Sequence, residues 1–414
     1  MSRVLVSFIG RGSSEGGLTR DGYAAAIYRF PAEGEYRAWD SRETSLFGAA
    51  LLQHMTNRGT PIDSWLVMGT AQSTWGALSQ AVPGELHAKA DEVKSKVEDG
   101  RFREADVAHW QTSIAAHLEP LKVLLRITGQ ADTEESQVNI WAALLDAVAD
   151  GDQVLLDITH AFRHMPVLAA FMIGALRWIR KVTHVDLYYG GLELASDAGI
   201  ASVIHIHLVE SLMMVSDSVA TYRNTGSFEP LLGVLGLGAD EKAQAVVLAD
   251  ELNRHVWEEA REQAELLRRS VRDMRLDRVR GSVKPVLRDA LSWADEQDEG
   301  CRLRTKARFA FDHRQYARAV SLLWEALLIT GCRLYHIGDP TEPKSRQQAE
   351  ERLQSALHGR DKDTLYQIEF LRNGVAHGTA ATNTRTRVAV TSLAEFHRLY
   401  EDGDRLLAKL QSRY

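Results

Sequence analysis

The chain has 414 residues, of which 45% are hydrophobic and 25% are charged, and its formal net charge is -7 at pH 7. This composition is typical of a globular protein with two or three domains. An acidic chain does not bind nucleic acid over its whole surface, so any RNA contact must be local. The longest apolar stretch, 167–179, is too short to span a membrane and contains Arg177.

The cysteines and the first residues predict the cellular compartment. Cys301 and Cys332 are the only cysteines of the sequence. They are too few and too far apart for a metal knuckle or a disulfide framework. The chain begins with a strand-like segment, 4–9, without a charged leader, an apolar core and a cleavage site. We therefore expect a cytoplasmic protein that is neither secreted nor embedded in a membrane.

Strand and helix patterns alternate through the first 210 residues. Strands are predicted at 4–9, 23–30, 64–68, 122–127, 153–157, 185–189 and 201–209. Helices are predicted at 45–55, 136–149 and 166–180. This alternation predicts an α/β domain with a mainly parallel, doubly wound sheet.

Small polar residues and glycines follow several of these strands. In doubly wound sheets, ligands bind beyond the carboxyl ends of the strands, where backbone amides can hold phosphates. The loop after the first strand lacks the third glycine of a dinucleotide fingerprint, so a nicotinamide site is not expected. His160, taken alone, fits a structural histidine at a strand end as well as it fits a ligand contact. The strand-end candidates are Gly10, Arg11, Gly69, Thr70, Thr159, His160 and Tyr189.

Helices are predicted at 211–224 and 239–280, and glycines punctuate the segment between them. The second helix is rich in arginine. We expect a solvated helical face whose charges pair with nearby acids, and the alternative is a basic wall that guides RNA. The arginines are Arg254, Arg261, Arg268, Arg269, Arg272, Arg275, Arg278 and Arg280.

Beyond residue 300 the pattern is helical throughout. Val320, Leu323 and Leu327 begin an apolar stripe that continues to Gly331 and Leu334. A small helical bundle of this kind can bury its stripe against a partner, so a homodimer or a higher homo-oligomer is expected.

The segment 371–378 holds Arg372, Asn373 and His377 after another apolar stripe. Together they supply a cation, an amide and a base, which suffice to cleave RNA without a metal. In an unbroken helix, five residues turn about 500°, so Arg372 and His377 would point about 140° apart. Either Gly374 and Gly378 loosen the helix, or two copies bring these side chains together across a dimer axis.

The Arg-Asn-x-x-x-His pattern resembles the catalytic motif of HEPN ribonucleases. Members of that family cleave RNA without a metal at a composite site between two protomers, and they commonly leave a 2′,3′-cyclic phosphate. The resemblance implies that His377 acts as general base or acid. Arg372 would stabilise the charge on the phosphate, and Asn373 would position a partner group.

The first half of the chain resembles a CRISPR-associated family. Residues 157–163 resemble its Asp-x-Thr-His-Gly signature, with Ala161 in place of the glycine, and 69–75 resemble its Gly-Thr-x-x-Ser-x-Trp loop. The segment 188–193 also fits. The resemblance implies a CARF domain, a Rossmann-like sensor that dimerises and binds cyclic oligoadenylate made by a type III CRISPR complex. The implied ligand contacts are Gly10, Arg11, Gly69, Thr70, Ser73, Thr159, His160, Phe162, Arg163 and Tyr189.

Together the two resemblances imply a sensor domain at 1–210, a helical connector at 211–300 that transmits sensor closure, and a HEPN domain at 301–414. The implied activity is cleavage of single-stranded RNA, activated by cyclic oligoadenylate, with cyclic tetra-adenylate as the expected ring and no metal. Three alternatives stay open. They are a stand-alone HEPN toxin without a response to the ring, a ring-binding sensor or adaptor without nuclease activity, and a sensor that also cleaves its own ligand.

Overall fold

The computed structural model describes residues 2–11, 24–82, 84, 86–160, 162–194, 199–252, 258–377 and 384–413, with backbone only at 376, 377, 385 and 386. Contacts divide the chain into two compact units, Met1–Met213 and Met214–Tyr414. The predicted connector, apart from residues 211–213, and the predicted HEPN domain fall in the second unit. Their separation into two domains stays a prediction.

The first unit is built on a sheet. Its strands are β1 (Arg3–Ile9), β2 (Ile27–Phe30), β3 (Trp39–Asp40), β4 (Ser64–Gly69), β5 (Lys122–Ile127), β6 (Gln153–Asp157), β7 (His184–Gly191) and β8 (Ile200–His205). Its helices are α1 (Phe47–Asn57), α2 (His87–Glu98), α3 (Glu104–Leu118), α4 (Glu134–Ala147) and α5 (His164–Ile179), with short 3₁₀ helices at Trp75–Ala81 and Leu192–Leu194. Helix α6 (Leu208–Thr225) contains the boundary between the units.

The strands are ordered β3-β2-β8-β7-β6-β1-β4-β5. All neighbouring pairs are parallel except β2 with β3 and β7 with β8. From β1 the chain first forms β2 and β3 at the far edge of the sheet, and it then returns to place β4 and β5 successively outward on one side of β1. It next crosses to the other side of β1, where β6 and β7 follow successively outward. The carboxyl ends of β1 and β6 therefore flank the topological switch point, where ligands bind in open α/β sheets.

Helices cover both faces of the sheet. Side chains alternate along β1, so Val4, Val6 and Phe8 pack in one buried cluster with residues of α4 and α5. Leu5 and Ile9 point to the other face and pack with α1, α2 and α3. This two-sided burial confirms the predicted doubly wound sheet.

Most elements predicted in the first unit agree with the structure, and two differ from it. The strand predicted at 201–209 is too long, because β8 ends at His205 and α6 begins at Leu208. Helices α2 and α3 were not predicted. The predicted strand at 23–30 begins at Ile27, and residue 23 lies outside the described residues.

All the secondary-structure elements described in the second unit are helices. Its elements are α7 (Glu229–Val234), α8 (Glu241–Glu251), α9 (Glu258–Asp273), α10 (Arg278–Gly281), α11 (Lys284–Ala290), a 3₁₀ helix at Ser292–Asp295, α12 (Glu299–Asp312), α13 (Tyr316–Leu334), α14 (Pro343–Ala356), α15 (Gly359–His377), α16 (Thr384–Thr391) and α17 (Leu393–Gln411). The stripe of Val320, Leu323 and Leu327 is fully buried against other helices of the same chain, so the expectation that it packs against a partner is wrong. The α/β unit followed by an all-α unit confirms the predicted fold class.

The helix predicted at 239–280 is interrupted. Helix α9 ends at Asp273, and α10 begins after Asp277, whose Oδ1 accepts hydrogen bonds from the N–H groups of Val279 and Arg280. An aspartate that caps a helix start in this way separates two helices. None of the helices in the described part of the chain is long and apolar enough to cross a membrane.

Candidate functional site

The loop after β6 is held by the side chain of Asp157. Asp157 is fully buried, and its Oδ1 accepts a hydrogen bond of 2.9 Å from the Thr159 N–H. Burial raises the pKa of Asp157 to about 6, although hydrogen bonds from Thr159 and Ser7 oppose that rise. Thr159 Oγ1 in turn accepts a 2.9 Å hydrogen bond from the Gly190 N–H at the end of β7. The ends of β6 and β7 are therefore tied together.

His160 joins the same edge to the start of α1. Its Nε2 lies 3.1 Å from the backbone nitrogen of Phe47 and accepts that N–H. Burial lowers the pKa of His160 to about 4, so the ring is neutral near pH 7 and carries its proton on Nδ1. The hydrogen bond at His160 Nε2 therefore fixes the position of the start of α1.

The loop after β4 closes on the end of β1 through Ser73. The Ser73 hydroxyl is fully buried, donates to the Ile9 carbonyl at 2.7 Å and accepts the Thr70 N–H at 2.9 Å. Only glycine fits at position 69 between the ends of β1 and β4, since a Cβ there would lie 2.7 Å from Ile9 Cγ2. Ser73, predicted as a ligand contact, instead lies inside the loop. Thr70, which is half-buried, lies nearer the surface.

Side chains of different polarity lie at the surface of this edge. Phe162 and Arg163 are exposed, and the Phe162 ring stacks on His164 with centroids 6.0 Å apart. The Tyr189 hydroxyl hydrogen-bonds to the Glu193 carboxylate. Burial and this bond raise the pKa of Tyr189 to about 12, while the charge of Arg163 acts in the opposite direction. An aromatic surface, a cation and a phenol therefore lie beside the switch point.

The remaining predicted contacts lie at the end of β1. Gly10 follows β1, its carbonyl accepts the Thr74 N–H at 3.0 Å, and Arg11 is exposed. Ala161 and the glycine-rich residues 12–17 lie outside the described residues.

The sequence-based candidates missed three groups that shape this edge. Asp157 is the first residue of the signature quoted above. Its position two residues before Thr159 could have indicated a hydrogen bond to that backbone N–H. Glu193 stands in the segment 188–193, which was also singled out. No sequence pattern pointed to the Phe47 N–H, because a sequence does not show which backbone group of a distant helix will meet a given side chain.

The second candidate region is the end of α15. Leu365, Ile368 and Leu371 are fully buried, which leaves Arg372 and Asn373 half-buried on another face. Arg372 Nη1 donates a 3.0 Å hydrogen bond to Asn373 Oδ1. The amide therefore helps to orient the guanidinium.

Helix α15 is continuous from Gly359 to His377. The expectation that Gly374 loosens or ends the helix is wrong, because the helix runs through it. Positions 372 and 377 are therefore about 140° apart around one axis. The side chain of His377 and all of Gly378 lie outside the described residues.

An acidic group accompanies Arg372. Glu350 of α14 is partly buried, which raises the pKa of its carboxyl, and the charge of Arg372 opposes that rise. Gln354 Nε2 lies 3.2 Å from Glu350 Oε1. The sequence analysis did not single out Glu350.

The arginine-rich region has its charges largely paired where it is described. Arg261 pairs with Glu258 and Glu265, and Arg268 pairs with Asp295. Further pairs join Arg269 to Glu265, Arg272 to Asp273 and Arg280 to Asp277. This pairing favours the solvated helical face over the basic wall. Arg254 lies outside the described residues.

These features define the class of the protein, which combines a doubly wound sheet that has a polar carboxyl edge with an all-helical unit. No family model matches the chain. The CRISPR-associated protein MJ1674 of Methanocaldococcus jannaschii is 22% identical over 411 residues, covering 91% of this chain. The chain spans 62% of that relative's length. The similarity confirms the predicted relationship to CRISPR-associated proteins.

A solved structure also aligns with the chain. It is Enterococcus italicus Csm6 bound to cyclic hexa-2′-fluoro-hexa-dAMP. The TM-score is 0.37 at 10% identity, with 99% of this chain and 93% of that chain covered. A likeness of this strength supports neither a shared ligand nor a shared activity.

Proposed function

We propose that the protein is an endoribonuclease of type III CRISPR defence that acts in the cytoplasm, is activated by cyclic oligoadenylate and cleaves single-stranded RNA without a metal. The observation that carries the proposal is the polar edge at the switch point, in a chain similar to a CRISPR-associated protein over 91% of its length. The same chain carries the Arg372 and Asn373 pair near the end of α15.

The carboxyl edge offers what a ring of adenosine phosphates needs. Arg163 and Arg11 supply cations for phosphate oxygens, and charge-assisted hydrogen bonds of this kind are the stronger ones. Phe162 is 46% exposed, so its ring can contact an adenine. Asp157 and His160 act in positioning, since their bonds hold the loops in place.

The helical unit supplies the chemistry. His377 takes the proton of the ribose 2′-hydroxyl, whose oxygen attacks the adjacent phosphorus. The bond to the 5′-oxygen breaks, and that oxygen leaves with a proton returned by an acid, so a 2′,3′-cyclic phosphate and a 5′-hydroxyl form. Arg372 stabilises the charge on the phosphate, and Asn373 orients Arg372.

A homodimer brings the groups together. Because positions 372 and 377 diverge on one helix, a complete site takes Arg372 from one copy and His377 from the other. An apolar face of the sensor unit supports self-association, since Val167, Phe171 and Trp178 of α5 are 57%, 77% and 64% exposed. Exposed apolar patches on globular proteins mark interaction surfaces.

The experiment is cleavage of a fluorescent single-stranded RNA in EDTA, with no ring, with cyclic tetra-adenylate or with cyclic hexa-adenylate. We expect one of the rings to stimulate cleavage by the wild-type protein, and His377→Ala to show none. Ring binding measured by calorimetry separates the two functions.

Cleavage that neither ring changes would favour the stand-alone toxin. Ring binding without cleavage under any condition would leave a sensor. Cleavage retained by His377→Ala would contradict the assigned chemistry.

A further inference from the structure

A cluster of ionisable side chains lies at the opposite edge of the sheet, near the start of β7. It runs through His184, Asp186, His205, Glu33 and His207. Asp186 bridges two histidines, with Oδ2 3.0 Å from His184 Nε2 and Oδ1 2.7 Å from His205 Nε2. This cluster is independent of the proposed sensor and nuclease sites.

Glu33 is fixed in place by its surroundings. It closes a tight turn between β2 and β3, in which the Glu33 and Tyr36 backbones exchange two hydrogen bonds of 2.9 Å. Gly34 occupies the left-handed region within that turn, with φ of 56°. Arg58 Nη1 binds Glu33 Oε2 at 2.8 Å while its guanidinium lies 4.2 Å from the centre of the Tyr36 ring. The arginine thus occupies one carboxylate oxygen and leaves Oε1 facing the histidines.

His205 is equally constrained. Its ring stacks on Tyr188 with centroids 4.2 Å apart, and its side chain is only 9% exposed. A carboxylate only accepts hydrogen bonds, so His205 donates to Asp186 from Nε2. Nδ1 lies within hydrogen-bond distance of the Glu33 carboxylate, so an ion bound at this atom would displace its proton.

Three ligand atoms converge. Glu33 Oε1 lies 3.0 Å from His205 Nδ1 and 3.1 Å from His207 Nε2, and ligand atoms of all three residues lie within 4.8 Å of one another. Zinc sites place N and O ligands about 2.0–2.2 Å from the ion, so tetrahedral ligands are roughly 3.3 Å apart. The separations around Glu33 Oε1 are close to that value.

We propose that Glu33, His205 and His207 bind a divalent transition-metal ion such as Zn²⁺. Two imidazoles and one carboxylate form a ligand set suited to zinc, cobalt and nickel rather than magnesium or calcium. Asp186 completes the site, since ligating histidines commonly donate their other N–H to a carboxylate. The sequence analysis expected no metal. Spacing could not reveal this site, because Glu33 and His205 are 172 positions apart.

The ion would act as a clamp within the first unit. It would join the turn after β2 to the end of β8 and the segment that follows it. No reacting group of the proposed nuclease belongs to this site, so the clamp contributes stability and not cleavage chemistry. Metal bound only by the folded state raises its stability by mass action.

The test is titration of the EDTA-stripped full-length protein with Zn²⁺ by calorimetry, and with Co²⁺ by visible absorption. We expect saturable binding of one ion per chain, a tetrahedral Co²⁺ spectrum and a rise in Tm with Zn²⁺. His207→Ala and Glu33→Gln should lose all three. His207 is 63% exposed, so its replacement leaves the fold intact, and far-UV circular dichroism checks this.

Two further variants sharpen the result. Asp186→Asn should weaken Zn²⁺ binding by ~10–100-fold, as expected for a residue that orients a ligand. His109→Ala removes an exposed histidine on α3 and should bind like the wild type. The proposal is overturned if the wild type shows no saturable binding, in which case the three residues share only protons. It is also overturned if His207→Ala and Glu33→Gln bind Zn²⁺ as the wild type does.

Discussion

The carboxyl edge of the sheet and the end of α15 differ in how complete they are within one chain. At the sheet edge, Thr159 and His160 are bonded to backbone groups of Gly190 and Phe47, so the loops are fixed before any ligand arrives. On α15, Arg372 and Asn373 are bonded to each other, while position 377 lies about 140° away around the helix.

This difference is the one expected between the proposed binding surface and the proposed catalytic site. A preorganised edge can bind a ligand with little ordering cost, because its loops do not have to move. On α15, positions 372 and 377 diverge around one axis, so in the proposed mechanism the cation and the base at one phosphate come from two copies. Under that proposal, cleavage depends on a second copy, and dimerisation is the step that the ring would control.

The largest effect is expected on the nuclease helix. Arg372→Ala should lower ring-stimulated RNA cleavage by ~10²–10³-fold, the usual cost of removing one group that stabilises transition-state charge. The matched control is Arg405→Ala on α17, whose side chain is 64% exposed and pairs with Asp402. Equal rates for Arg372→Ala and the wild type would exclude Arg372 from the site.

The next largest effect is expected on the pH dependence of stability, through Asp157, which holds the loop after β6. The pKa of Asp157 is raised to about 6 by burial, whereas an unfolded aspartate ionises near 3.9. Ionisation of the unfolded chain therefore lowers stability as the pH rises from about 4 to about 6. Relative to Asp157→Asn, the wild type should lose up to about 3 kcal/mol of unfolding free energy over that range.

Urea unfolding at a series of pH values measures this difference. Asp99→Asn serves as the surface control, since the Asp99 side chain is 48% exposed and pairs with Arg101. A constant difference between the wild type and Asp157→Asn from pH 4 to pH 7 would show that Asp157 ionises normally in the fold.

Ring binding should depend on the exposed cation of the same edge. Arg163→Ala should weaken the affinity for the activating ring by about 10-fold, because one charge-assisted hydrogen bond to phosphate is lost. Calorimetry with the ring that stimulates cleavage measures this. Arg101→Ala, an exposed arginine of the same unit, should bind as the wild type does. Unchanged affinity of Arg163→Ala would remove it from the ligand surface.

The smallest effect is expected at Asn373, a positioning residue that acts through Arg372. Asn373→Ala removes one hydrogen bond and should slow cleavage by roughly 2–10-fold. In the Arg372→Ala background, the same change should have no further effect. An additive loss in the double variant would mean that Asn373 acts independently of Arg372.

The sequence predicted most strands and helices well, but it did not predict the contacts between distant segments. The bounds of β5 and β6 were predicted at both ends, because apolar runs flanked by polar residues define them. The strand predicted at 201–209 was too long, since the sequence does not show that a helix follows at Leu208.

At the candidate site, the motifs identified Thr159 and His160 but not their roles. Their partners, Gly190 and Phe47, are backbone groups brought near by the sheet. Ser73 was a plausible ligand contact by residue type, yet its hydroxyl is used inside the loop. Contacts between distant segments depend on the fold, and one sequence does not display them.

The central claim is that two chains complete each nuclease site, and mixing two inactive variants tests it most directly. Arg372→Ala and His377→Ala proteins would be mixed, allowed to exchange subunits and assayed with RNA and the activating ring. If each site takes Arg372 from one copy and His377 from the other, each mixed dimer has one intact site. Random exchange should then restore roughly a quarter of the wild-type activity. A mixture as inactive as its two components would contradict the composite site.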